Sequence, residues 1–220
     1  MIVCSLNEIQ AYGQRAARGA GMSWGLAQEA GKATRWLAER GLPGVELLVG
    51  LLTANDKRSY ASMAPVMADG HWRAGDGELC PVCSGAALCD RIDLLIRGEQ
   101  IRMSALAYPL LLAPFLDQSS RSDASTYELC WQKARVLVCA DSVTLEGESQ
   151  SAFLVDFAGE VTVSISDCPE ALPTHQFRVA GVKTSTAAWR AMDALAKRTY
   201  VPASEESRAL GAGAGRIDND

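Results

Sequence analysis

Residues 129–166 hold the feature that most limits the fold. Within them, short runs rich in β-branched and aromatic residues alternate with turn signals, at 129–132, 135–140, 142–146, 152–157 and 160–166. Val, Ile, Tyr, Trp and Phe suit a pleated, half-buried surface, so each run reads as a strand. No helix-length segment separates them. Parallel neighbours need long crossover connections, so consecutive strands this close imply an antiparallel meander. Ala158-Gly159 between the last two runs predicts a tight hairpin.

The amino-terminal part has the other period. Ser5-Leu6-Asn7-Glu8 fits a capping box, with Ser5 as cap and Glu8 at the third helical position. Apolar or small residues at Leu6, Ile9, Gly13, Ala16 and Ala17 then mark one face of a helix over 6–18. Gly19-Ala20-Gly21 stops it. Ser23 predicts the cap of a second helix over 24–39, which carries Gly25 and Gly31 inside it. A glycine in a helix interior costs about 1 kcal/mol relative to alanine, and a close helix crossing would explain that cost. A third helix is expected over 45–52 after the break at Gly41-Leu42-Pro43-Gly44. Residues 55–77 carry turn signals and read as irregular. A helix is expected over 84–96 with Ser84 as its cap, and a strand over 101–106. The apolar run 109–116 fits a buried strand or a buried helix equally. A further strand is expected over 174–180. Thr184 or Ser185 then caps a late helix that reaches about Arg198.

These elements give an α+β fold: an amino-terminal helical part packed on a mostly antiparallel sheet, a late helix, and a Gly-rich carboxy-terminal segment. The expected organisation is a single domain over 1–220, with a helical subdomain at 1–55, an α+β core at 56–198 and a Gly-rich segment at 199–220. The 220 residues are 48% hydrophobic and 21% charged, ample for one core. The net charge is −5, and no basic run exceeds a pair such as Lys57-Arg58 or Lys197-Arg198. That distribution speaks against nucleic acid as a partner. The opening residues lack the basic and apolar regions of a secretory signal, and no apolar run approaches the ~20 residues of a membrane span. A cytoplasmic protein with no membrane partner is expected. Its seven cysteines should then be thiols or metal ligands.

Four constellations bear on chemistry. Cys80 and Cys83 form a CxxC zinc half-site, which Cys89 and His71 would complete. A second CxxC or CxxH is missing, so the pattern also fits a turn followed by buried thiols, and no metal is assigned. A redox CxxC needs a strand before it and a helix starting on it, and with a helix starting at Ser84 that setting is only half met. The two histidines, His71 and His175, lie in no nucleophile motif, although His71 is a distant candidate base. The third constellation is the end of the chain. Gly211, Gly213 and Gly215 alternate with alanines, and such a backbone can converge its N–H groups on an anion. Arg198, Arg208 and Arg216 would add charge-assisted bonds to a carboxylate, and Asp218 would bind a cation or hold an arginine. Tyr200 and Ser204 supply hydroxyls for orientation or proton transfer. The dinucleotide and P-loop glycine patterns are both unmet, and no cofactor is indicated. Fourth, Arg15, Arg18, Lys32 and Arg35 with Trp24 and Trp36 read as the solvated face of a helical hairpin, or less readily as the lining of a cleft.

Three stretches carry a resemblance: SLNEIQAYGQRAARGAGMSWGLAQEAGKATRWLAERGLPG, CPVCSGAALCD and RTYVPASEESRALGAGAGRIDND. Through them the chain resembles, over nearly its whole length, a mainly proteobacterial family of conserved proteins of unknown function. The resemblance implies a bacterial, cytosolic protein and transfers no activity. The residues themselves point to an enzyme, or an enzyme subunit, acting on a small carboxylate-bearing metabolite. The alternative is a non-catalytic subunit that docks through its carboxy-terminal segment, in a homo- or hetero-oligomer.

Overall fold

The computed structural model describes residues 1–140, 142–166 and 181–200. Ser5 opens α1 (Leu6–Gly19) with the expected capping box. Its Oγ accepts the Glu8 N–H at 3.2 Å, and the Glu8 carboxylate accepts the Ser5 N–H at 2.7 Å. Helix α2 (Trp24–Glu39) follows. Ser23 holds the extended backbone of a cap there, but its side chain makes no capping bond. The two helices cross where their residues are smallest. A Cβ on Gly31 would stand 2.6 Å from the Gln10 carbonyl oxygen, and one on Gly13 would stand 3.5 Å from the Gly31 Cα. The crossing accounts for Gly31. It does not account for Gly25, which faces open space.

Helix α3 (Gly44–Ala54) completes the predicted trio, and a later helix joins it. Residues Ile2–Cys4 form β1, which the sequence reading did not anticipate. It pairs antiparallel with β9 (Val182–Thr184). β9 leads into α8 (Thr186–Lys197), where the Ser185 Oγ accepts the Ala187 and Ala188 N–H groups. Glu46 of α3 accepts from the Thr184 hydroxyl at 2.8 Å and from the Ser185 N–H at 2.9 Å. Helix α8 thus packs on α1 and α3, with the Tyr12 and Trp189 rings 5.0 Å apart.

The main sheet has seven strands in the order β2 (Pro65–Ala68), β3 (His71–Ala74), β4 (Ile101–Ala107), β8 (Phe157–Ser166), β5 (Thr126–Trp131), β6 (Ala134–Cys139), β7 (Ser142–Gly147). Every pairing is antiparallel except β3 with β4. The class is the expected α+β. The meander holds for β5, β6 and β7. The run expected as a strand over 152–157 is instead a 3₁₀ turn over Gln150–Phe153. Phe153 is drawn inward against the edge of the Trp131 ring, and the Trp131 indole donates to the Ala152 carbonyl at 3.0 Å. Ala158 and Gly159 accordingly lie inside β8 and not in a hairpin. β8 passes β7 and inserts between β4 and β5, where Val163 sits opposite both Ile101 and Leu129.

Three other expectations change. Residues 55–77 are not irregular: they hold the short helix α4 (Tyr60–Met63) and the β2–β3 hairpin, turned by Asp69-Gly70 with φ of 45° and 73°. Two positive-φ residues between paired strands match the twist of a hairpin. The helix expected over 84–96 starts earlier and is broken, into α5 (Pro81–Cys89) and α6 (Ile92–Ile96). Ser84 is buried inside α5, and Cys80 is the cap. The run 109–116 enters a 3₁₀ turn and continues as α7 (Ala113–Asp123). Helices α5 and α7 meet α2, and α7 also rests on β5 and β6, so they join the helical layer to the sheet. Among the described residues no helix is long and apolar enough to cross a membrane.

Candidate functional site

Of the site residues proposed from sequence, Arg198, Tyr200 and His71 are described. Ser204, Arg208, Gly211, Gly213, Gly215, Arg216 and Asp218 lie outside the described residues, as do His175 and the strand expected over 174–180. His71 sits on β3, in the sheet layer, with its Nε2 2.8 Å from the Ser104 Oγ. Arg198 ends α8 and grips Asp56 just beyond α3 through two bonds of 2.7 and 3.2 Å.

The Asp56–Arg198 pair has a pH signature. The hydrogen bond from Arg198 holds the Asp56 carboxyl below its ordinary range, with burial opposing and the guanidinium charge assisting. A carboxyl depressed in the folded state contributes stability above its unfolded value, about 3.9, and loses it as pH falls through the folded value. Asp56→Asn should therefore flatten the acid limb of a plot of urea midpoint against pH, below about pH 4. Parallel curves for the two proteins through that range would show that the pair adds nothing.

Tyr200 belongs to a cleft. Its hydroxyl oxygen accepts from the Arg15 Nη1 at 3.3 Å. Gln14, Arg15, Arg18, Trp24, Thr199 and Tyr200 line a depression of ≈ 480 Å³, between α1, the start of α2 and the residues after α8. Arg15 and Arg18 are one turn apart on the exposed side of α1. Arg18 lies over the Trp24 ring at 4.6 Å and donates to the Met22 carbonyl; Arg15 lies 5.6 Å from the Tyr12 ring. Among the described residues neither guanidinium has a carboxylate partner, and no acidic side chain lines the cleft. Aromatic faces and neutral oxygens hold both cations in place and, among the described residues, leave their charge uncompensated. Trp24 is 70% exposed beside them.

The remaining cations of that sequence stretch go elsewhere. Arg35 donates to Asn7 and Gln10. Lys32 pairs with Glu29 at 2.8 Å and, with Trp36, borders a second depression of ≈ 210 Å³ near Asp117 and Arg121.

The cysteines form a different arrangement from a zinc site. Among the described residues no group of three or more His, Cys, Asp or Glu side chains is placed to hold a metal ion. Cys89 ends α5, with its thiol near the Phe115 carbonyl and Ser119, while His71 lies in the hairpin. Cys80 caps α5, Pro81 is its first residue, and Cys83 lies in its first turn. A side-chain hydrogen bond from Cys83 is the first cause that holds the Cys80 thiol below its ordinary value. That bond favours the Cys80 thiolate. Burial opposes it, and the Cys83 and Val82 backbone N–H groups and the Arg58 charge support it, so the thiol lies below its ordinary value. Cys83 is pushed up, first by its bond to Cys80 and then by burial, although the Tyr60 hydroxyl bonds to it. Arg58 in turn donates to the Asn55 Oδ1 at 3.2 Å and to the Asp76 carbonyl at 2.9 Å. The sequence reading passed over Asn55, Arg58 and Tyr60 because they fall in the stretch expected to be irregular. Pro81 was the signal for the true helix start, since proline favours the first helical position.

Residues 4–77 match a family described as "Protein of unknown function (DUF3726)". The match takes in α1 to β3 and stops short of Cys80. No curated protein matches the chain. Among solved structures, the chain is similar to the crystal structure of malate dehydrogenase from Entamoeba histolytica, with 7% sequence identity and a TM-score of 0.46. The likeness covers 68% of this chain and 50% of that one, so it spans about half the length of that protein.

Proposed function

We propose that the chain binds a small carboxylate-bearing metabolite in the cleft beside α1, and acts on it as an enzyme or an enzyme subunit. One observation carries this reading: two guanidiniums without carboxylate partners among the described residues border one cleft with two aromatic rings. A volume of ≈ 480 Å³ lies within the range of metabolite sites. A carboxylate suits the cleft better than a neutral ligand, because arginine forks bind it through paired charge-assisted bonds. Trp24 offers an apolar face for the rest of the ligand. Tyr200 already accepts from Arg15, so its own proton is directed to a ligand oxygen, and Tyr200 is the residue proposed for proton transfer. Ser204, Arg208, Gly211, Gly213, Gly215, Arg216 and Asp218 follow Tyr200 in sequence and are the further ligands proposed. Arg198, held by Asp56, is proposed to steady this end of α8, and His71 stands apart in the sheet.

The test is a thermal-shift screen of the full chain against small carboxylates, amino acids and phosphates. A ligand that binds only the folded state raises the melting temperature. A carboxylate should give a shift that the Arg15→Ala/Arg18→Ala double variant loses. Arg15 is exposed, whereas Arg18 also packs on Trp24 and bonds the Met22 carbonyl, so each variant's shift is read against its own ligand-free melting temperature. Removing Arg18 alone should weaken binding by about tenfold, the equivalent of one charge-assisted hydrogen bond. Deleting 211–220 tests the tail in the same assay. A shift that survives the double variant would place the ligand elsewhere. No shift with any metabolite would favour the docking role.

A further inference from the structure

The two cations of the arginine cleft are held apart. Side chains one turn apart on a helix, as Arg15 and Arg18 are on α1, start from Cβ atoms about 5–6 Å from each other. Their partners draw the two guanidiniums in opposite directions along the helix. Arg15 leans back toward the ring of Tyr12, one turn nearer the amino-terminal end. Arg18 reaches forward to the Met22 carbonyl and the Trp24 ring, both beyond the carboxy-terminal end of α1. Each guanidinium uses its Nη1 on a neutral oxygen, Arg15 on the Tyr200 hydroxyl and Arg18 on the Met22 carbonyl. The Nε–Nη2 edge of each is left to meet a ligand. A carboxylate takes one such edge through two parallel bonds, so one carboxylate fills one fork. Two forks anchored apart, neither with a carboxylate partner among the described residues, make two anion positions in one depression.

The size and lining of the cleft agree with that count. A ligand the size of acetate would leave most of the ≈ 480 Å³ to solvent, whereas a chain of several carbons with a charged group at each end would use it. Ala11 and the exposed Trp24 ring are apolar parts of the lining, which methylene groups can cover. The chain as a whole carries a net charge of −5 and so repels a dianion in general. Tight binding of one must come from a local pair of cations.

We infer that the ligand of this cleft is a dicarboxylate with a carbon spacer. One carboxylate sits in the Arg15 fork beside Tyr200, the other in the Arg18 fork beside Trp24, and the spacer crosses the floor between them. This inference rests on the cleft being the ligand site, as proposed above, and adds how many anionic groups the ligand carries and that they stand apart. Malonate, whose two carboxylates share one carbon, is too short to serve both forks. Glutarate and adipate have the reach. A monocarboxylate of the same chain length fills one fork and leaves the other to water.

The experiment is calorimetric titration of the full chain, at fixed ionic strength, with matched acids: pentanoate against glutarate, hexanoate against adipate, then malonate and pyrophosphate. Glutarate or adipate should bind at least about tenfold tighter than its monocarboxylate match, the equivalent of one further charge-assisted hydrogen bond. It should also bind tighter than malonate or pyrophosphate. Arg15→Ala and Arg18→Ala should each abolish the advantage, so that the two acids of a pair bind about equally. The ratio is read within each variant, and near-ultraviolet circular dichroism checks the fold. Arg15 is exposed, so its variant decides the outcome if Arg18→Ala fails to fold. Equal binding of paired acids by the native chain, lost in the double variant, would overturn the dicarboxylate and leave the cleft as a monocarboxylate site. Malonate or pyrophosphate binding as tightly as adipate would reduce the two positions to one and overturn it as well. An advantage that survives both single variants would place the second carboxylate away from these arginines. Binding of no acid, or binding unchanged in the double variant, would overturn the cleft as the ligand site and this inference with it.

Discussion

Trp131→Ala should cost the folded state about 3–5 kcal/mol, the range for removing a buried aromatic side chain. Trp131 ends β5, is 2% exposed, and meets the Phe153 ring edge-on at 6.3 Å. Its indole N–H is the donor that holds the Ala152 carbonyl in the 3₁₀ turn. Phe153 is wedged in turn against Gly147 of β7, where an added Cβ would stand 2.7 Å from the ring. Truncation therefore leaves a cavity, frees a carbonyl and loosens the segment that leads the chain from β7 to β8. Trp131→Phe keeps most of the volume and loses only the donor, so its cost should be nearer 1 kcal/mol. Urea unfolding reads both: the midpoint should fall with the slope unchanged. A loss below about 1 kcal/mol for the alanine variant would mean that the turn is held by other contacts.

Gly31→Ala should destabilise by about 1–3 kcal/mol, against the direction that helix propensity gives. In an open helix the same change would gain up to about 1 kcal/mol. The α1–α2 crossing reverses the sign. The added methyl would meet the Gln10 carbonyl and the Gln14 backbone, which are parts of α1's own ladder and cannot swing aside. Either the helices separate or α1 bends, and both uncover Ile9, Ala27 and Ala30. Gly25→Ala is the internal control, because it meets nothing within 4 Å and should be neutral or stabilising. Equal effects at the two positions would remove the crossing as the reason for Gly31.

Where local chemistry decides an element, the sequence disclosed it. Ser5 with Glu8, the small-residue face of α1 and α2, and Ser185 before α8 all act within a few residues. The fold class and most strands followed from the same kind of signal. The misses have physical causes. Leu110, Leu111 and Leu112 are all buried, so the approach to α7 has no polar face to mark a period. Strands β2 and β3 are short and largely exposed, although Asp69-Gly70 between them is a strong hairpin signal. The inserted position of β8 depends on which edge is free, and no pattern within β8 records that. The cleft was the least legible part. Arg15 and Tyr200 are 185 residues apart in sequence, and only the docking of α8 on α1 brings them together.

The pairing of β1 with β9 bears on how the protein is made. Synthesis delivers α1, α2 and α3 first, yet the strand that ties down residues 2–4 and the helix that covers α1 and α3 arrive only with 182–197. Until then the nascent chain carries an uncovered apolar surface around Tyr12, the ring on which Trp189 packs. Closing so long a loop costs little more entropy than closing a shorter one, since the cost grows only with the logarithm of length. The wait itself is the hazard, because half-built apolar layers are what aggregate and what chaperones hold. The earlier-made helices α1 to α3 are thus sealed only once residues 182–197 follow, and a fragment ending at residue 77 should depend on a chaperone to stay in solution.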